Sequence, residues 1–142
     1  MKVSKSLKGY LLAELRYASK RMKEEQDPRR KLFFFSSVFG STNRALNMEF
    51  DEDLLFVDFL AQQCYNTISP RVDQVYLGGD SVVPIARGLM DALTSLVGKL
   101  ANAIEEDKGL EAVLKDLVIL AYSTTGNGAY LFERGKIKLP VA

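Results

Sequence analysis

The sequence predicts a mainly α-helical protein: a four- or five-helix bundle with left-handed packing and a short C-terminal β-hairpin. Three observations predict it. Apolar residues recur at spacings of three and four through most of the chain, the period of a helix with one buried stripe. Boundary signals at Asp27-Pro28, Asn47, Gly78-Gly79 and Gly109 divide it into helical runs. Finally, Val82, Ala86, Leu89, Leu93, Leu96, Leu100 and Ala103 alternate by four and three, the seam of a left-handed bundle.

The first helix is expected over 3–26, with Leu7, Leu11, Leu15, Ala18 and Met22 as its apolar stripe. It stops before Pro28, which disfavours the α conformation at the preceding residue. The same dipeptide starts a second helix over 28–46, with Asp27 as N-cap and Pro28 in the first turn. There Leu32, Phe35, Phe39, Thr42 and Leu46 share one face, and Phe33, Phe34 and Val38 are expected to widen it. Gly40 inside this helix costs about 1 kcal/mol relative to Ala, so a close neighbour or a bend is expected there.

A third helix is expected over 52–77, kinked at Pro70. Asp51 is its cap, Glu52 and Asp53 complement its dipole, and Phe50 is placed to staple onto Leu55. It is apolar on most faces, which suits the middle of a bundle or a subunit interface. The fourth spans 82–108, capped by Ser81 with Pro84 in its first turn. Its second stripe, Gly88, Ala92, Ser95 and Gly98, is small enough for close approach of another backbone. The fifth spans 110–123; Leu117 to Tyr122 has strand-like composition but continues a helical stripe. Residues 129–139, with Glu133-Arg134-Gly135-Lys136 as the turn, read as the hairpin, which needs packing to be stable.

Composition then limits function. A chain of 142 residues is the size of one domain, here 1–142, and 47% apolar with 26% charged residues is an ordinary globular balance. Nineteen basic against eighteen acidic residues leave +1, which argues against a dedicated nucleic-acid binder. There is no His, so imidazole bases, His triads and the common zinc sites are excluded, and one Cys excludes an internal disulfide. No metal site or cofactor is expected. The longest apolar run, Leu117 to Tyr122, is far short of the roughly 20 residues a bilayer needs, and no leader pattern opens the chain. The expectation is a cytoplasmic protein with no membrane partner.

Charge is unevenly distributed. Residues 1–44 carry 11 basic and 4 acidic side chains, a balance of +7, and residues 45–80 carry 1 and 7, a balance of −6. The basic strip Lys20, Arg21, Lys23, Arg29, Arg30 and Lys31 is interrupted by acids and has no aromatic within it to stack a base, so it reads as a solvated hairpin or a partner for the acidic block.

The residues with some capacity for chemistry are few. Gly78, Gly79 and Ser81 open a long helix, where free N–H groups attract anions, although Asp80 sits among them. Thr124-Thr125-Gly126-Asn127-Gly128 offers hydroxyls and an amide, and is also an ordinary turn. Asp58 lies in the most apolar helix, and is expected either to pair with Arg44 or Arg87 or to lie on a narrow solvent-facing strip with Gln62, Asn66 and Ser69. Arg87 and Asp91 are four apart, as in an exposed helical pair. Together Arg44, Asp58, Gly78, Gly79, Ser81, Arg87 and Asp91 are the ligand-binding candidates. The sequence favours a non-catalytic helical module, acting as a homo-oligomer or by holding a small ligand. The alternative is a small His-free enzyme using Asp and Arg side chains on a phosphate-bearing or anionic substrate.

Overall fold

The computed structural model describes residues 1–77 and 83–140. Six helices follow one another: α1 Lys5–Glu24, α2 Pro28–Met48, α3 Glu52–Leu77, α4 Val83–Glu106, α5 Leu110–Ser123 and α6 Gly126–Glu133. Their starts are fixed locally. Ser4 Oγ accepts from Leu7 N at 3.2 Å, Asp27 Oδ1 from Arg29 N at 3.2 Å with Pro28 opening α2, and Asp51 Oδ2 from Leu54 N at 3.0 Å. Each cap occupies one of the N–H groups a helix start leaves unpaired.

α4 is the central helix. It touches α1, α2, α3 and α5, while α1 packs on α2, α2 on α3, and α3 on α5. The seam residues Leu89, Leu93, Leu96, Leu100 and Ala103 are all buried, and so are Met90, Val97, Ala101 and Ile104 from its other faces. Val82 lies outside the described residues. The core continues through Leu15, Met22, Phe35, Ile68 and Leu120. A smaller cluster of Leu7, Leu11, Ala45 and Leu54 closes the end where α1 begins and α2 turns into α3.

α3 continues through Pro70. The proline cannot bond to the carbonyl of Asn66, but both residues are exposed, so water reaches that oxygen. At Gly40 there is no close backbone: a Cβ there would meet only Arg44 Nη1 at 3.6 Å. Residues 117–122 are helical, inside α5.

The C-terminal β-hairpin is wrong: there is no strand among the described residues. Thr125 caps a helix instead, its side chain accepting from Gly128 N at 3.2 Å, and Ala129 N donates to Thr125 O at 2.7 Å. The expected hairpin turn is the end of that helix. Gly135 takes φ +73°, Gly135 N donates to Phe132 O at 3.0 Å and Lys136 N to Leu131 O at 2.9 Å. Those two bonds form a Schellman C-cap, which needs the same left-handed glycine as a tight hairpin turn. Two further expectations fail at the surface. Phe33 does not widen the buried face of α2 but is 70% exposed, and Phe50 at 73% is not covered by a staple onto Leu55.

Candidate functional site

Asp58 is the most deeply buried of the carboxyl groups singled out from sequence, at 5% exposure. Its partners are neutral. Oδ1 accepts from Thr42 Oγ1 at 2.7 Å, and Oδ2 accepts from Gln62 Nε2 at 3.2 Å and Asn43 Nδ2 at 3.4 Å. Thr42 and Asn43 face it from α2 and Gln62 stands one turn further along α3, so the group joins the two helices. Neither expected arginine reaches it. Arg44 Nε donates to Tyr10 OH at 2.9 Å across the α1–α2 contact. Arg87 is exposed on α4.

Asp91 does not need Arg87 as its partner, for its carboxylate lies 3.8 Å from Lys31 Nζ on α2. Lys31 and Arg44 are thirteen residues apart on α2, or about 20 Å of helix. Arg44, Asp58 and Asp91 therefore serve three separate contacts, and the structure does not gather them around one cavity. Gly78, Gly79 and Ser81 lie outside the described residues. The hydroxyls of Thr124 and Thr125 donate to Ala121 O at 2.8 Å and Tyr122 O at 2.6 Å, and Asn127 Nδ2 donates to Tyr122 OH at 2.6 Å. That segment is consumed in joining α5 to α6.

Cys64 is buried between α3 and α5, its thiol donating to Leu117 O at 3.4 Å. Burial pushes its pKa up to about 12, only partly opposed by a backbone hydrogen bond, so the reactive thiolate is suppressed. Among the described residues no three His, Cys, Asp or Glu side chains gather as metal ligands, and no helix is long and apolar enough to cross a membrane.

Two features remain that sequence reasoning did not locate. One is a cleft of about 410 Å³ where α3, α4, α5 and α6 meet, with walls of Leu89, Ala129, Phe132 and Leu139 and charged groups Arg71 and Glu133. Arg71 Nη2 donates to Thr124 O at 3.3 Å, which fixes the guanidinium at the cleft. Reading 129–139 as a hairpin concealed this wall.

The other is the outer face of α3. That helix packs inward on Leu54, Val57, Ala61, Cys64 and Ile68, and leaves Leu55, Phe56 and Phe59 between 40% and 56% exposed. Met48 and Phe50, each more than 70% exposed, extend the patch onto the α2–α3 turn. Glu49, Asp51, Glu52 and Asp53 stand around it. The N-terminal segment is tied to the same turn: the Met1 ammonium lies 2.9 Å from Asp53, Lys2 N donates to Asp51 Oδ1 at 2.8 Å, and Ser4 N donates to Glu49 Oε1 at 2.9 Å. Ser4 Oγ also donates to Glu49. The hydrogen bond to Asp53 raises the Met1 amine above its ordinary value. The Ser4 hydroxyl and N–H hold Glu49 below the usual carboxylate range. At Asp51 burial acts upward, but the N–H groups of Lys2 and Leu54 help to outweigh it. The α3 contribution was visible in sequence as a helix apolar on nearly all faces; the exposure of Met48 and Phe50 at the turn was not. In comparison with known proteins, no family model, curated protein or solved structure matches the chain.

Proposed function

We propose that this chain is a non-catalytic helical module of the cytoplasm that acts by assembling with copies of itself. The observation that carries the reading is the outer face of α3. Leu55, Phe56 and Phe59, with Met48 and Phe50, form an exposed apolar patch on a rigid helix and its preceding turn, and contiguous patches of this kind mark interaction surfaces. Phe56 also borders a cleft with Ile104, Leu110 and Leu114, but Met48, Phe50, Leu55 and Phe59 remain exposed beyond the core that the helices close. A single buried thiol with suppressed reactivity suits the reducing cytoplasm.

A second reading, binding of a small molecule, is favoured by the cleft beside Arg71. About 410 Å³ is within the range of small-ligand pockets, and its walls would accept an apolar body. The enzymatic alternative draws no support from geometry, because Arg44, Asp58 and Asp91 engage different partners. Native mass spectrometry of the purified protein at micromolar concentration tests both readings in one spectrum. Assembly predicts a defined multiple of the 15.9 kDa chain. A bare monomer mass overturns it, and a reproducible excess mass lost on denaturation supports the cleft as a site.

A further inference from the structure

We infer that copies of this chain meet head to tail, the acidic, apolar face of α3 on one copy seated against a basic, aromatic face of the α1–α2 pair on the next. The inference rests on the assembly reading and adds the surface that the α3 face binds. That second surface lies where α1 ends and α2 begins. Phe33 and Tyr17 are 70% and 55% exposed. Phe33 packs edge-on against Phe34 at 5.6 Å, and the Arg21 guanidinium covers the Phe34 ring at 4.7 Å. Lys20 is exposed on the same stretch, and Arg30 is 74% exposed, 3.9 Å from Glu25. Aromatic and arginine side chains in this combination are the residues that protein interfaces concentrate.

Charge selects the pairing. The α3 face is bordered by Glu49, Asp51, Glu52 and Asp53, of which Asp53 is paired to the Met1 ammonium. It belongs to the stretch of −6, whereas residues 20–31 at the α1–α2 surface carry six basic side chains against Glu24, Glu25 and Asp27, a balance of +3. A symmetric contact of α3 with α3 would bring eight carboxylates together around the apolar centre, and α1–α2 against itself would oppose arginines. Like charges facing each other across an interface disfavour the pairing. Only the crossed pairing matches both charge and apolar content.

Nor can the match be made within one chain. Phe33 and Met48 lie fifteen residues apart on α2, or about 22 Å, so the two faces are separated along the molecule. A contact between unlike surfaces at opposite ends repeats. It closes into a ring where the rotation allows and otherwise continues as a filament.

Mixing two variants tests this. One carries Glu52→Lys with Phe59→Lys and loses the α3 face; the other carries Arg30→Ser with Phe33→Ser and loses the α1–α2 face. All four positions are exposed, and far-ultraviolet circular dichroism checks that each variant is folded. In sedimentation velocity each alone should self-associate at least about tenfold more weakly than the unmodified chain. Mixed in equal amounts they should form a one-to-one pair and nothing larger, because one intact copy of each face remains. Should either double variant fail to fold, Phe59→Lys and Phe33→Ser singly serve in the same mixture, and association of the unmodified chain should weaken as salt is raised. Variants that stay monomeric when mixed, while the unmodified chain assembles, overturn the head-to-tail contact and leave the assembly reading standing. So does assembly of the variants as strongly as the parent. An unmodified chain that is monomeric at micromolar concentration overturns both.

Discussion

A side chain at Gly128 would overlap the carbonyl oxygen of Tyr122, so the junction of α5 and α6 admits glycine alone. Gly128→Ala should cost about 2–4 kcal/mol, as substitutions that force backbone apart do, measured by urea unfolding. Gly9 is the contrasting case: it lies in α1 with nothing within 4 Å of a new Cβ. Gly9→Ala should raise stability by about 0.5–1 kcal/mol through the lower backbone entropy of the unfolded chain. At Asp58 the cost lies in the partners left behind. Asp58→Ala removes the acceptor shared by the Thr42 hydroxyl and the Gln62 amide, leaving Thr42 only the Phe39 carbonyl at 3.0 Å, and should cost about 1–3 kcal/mol. Asp58→Asn, which keeps the shape and one acceptor, should cost less in the same assay. That Asp58 is buried was not legible: the sequence left it between an ion pair and a solvent-facing strip, and Phe59 beside it is itself 56% exposed. Nor were its partners, because Thr42 and Asn43 are placed opposite it by the register of α2 on α3, which no local pattern encodes.

Among elements, the start of α2 was the easiest to read, since a cap and a proline in the first turn have few other uses. α6 was the hardest. Four apolar residues, Ala129 to Phe132, are too short to show a period of 2 or 3.6, and Gly135 at positive φ serves a hairpin turn and a helix end equally. Phe33 was misplaced for a similar reason: composition marks it as apolar, but the packing of α1 across Phe34 decides which ring is covered. The contact of the N-terminal segment with the α2–α3 turn makes a prediction at this scale. Glu49 and Asp51 have lowered pKa values in the fold, so their stabilisation is present above the unfolded carboxylate range, about 4, and lost as pH falls through the folded values. The Met1 amine is raised, so its contribution is present below the unfolded value of about 8 and lost as pH rises through the folded one. Stability compared with that of a Glu49→Gln, Asp53→Asn variant should therefore show its greatest advantage between roughly pH 5 and 8. An advantage that does not change with pH would show that these groups do not hold the segment down.

At the scale of the molecule, an apolar patch bordered by acid at one end and an aromatic, basic surface at the other give the chain a polarity that its net charge of +1 conceals. The balance of the two stretches was readable from composition. Its direction along the molecule came only with the antiparallel run of α1, α2 and α3. The burial of Cys64 has a separate consequence. A thiol with its pKa pushed up to about 12 and no solvent contact reacts with an added disulfide reagent only when α3 and α5 part. Labelling of the folded protein is then an internal clock for that opening. If the two helices separate only on global unfolding, Asp58→Ala must quicken the clock by the factor its stability loss dictates, about 30-fold for 2 kcal/mol. If α5 and α6 peel away as a unit, the substitution at the α2–α3 contact leaves the clock unchanged, and the bundle consists of two cooperative parts that share the central helix.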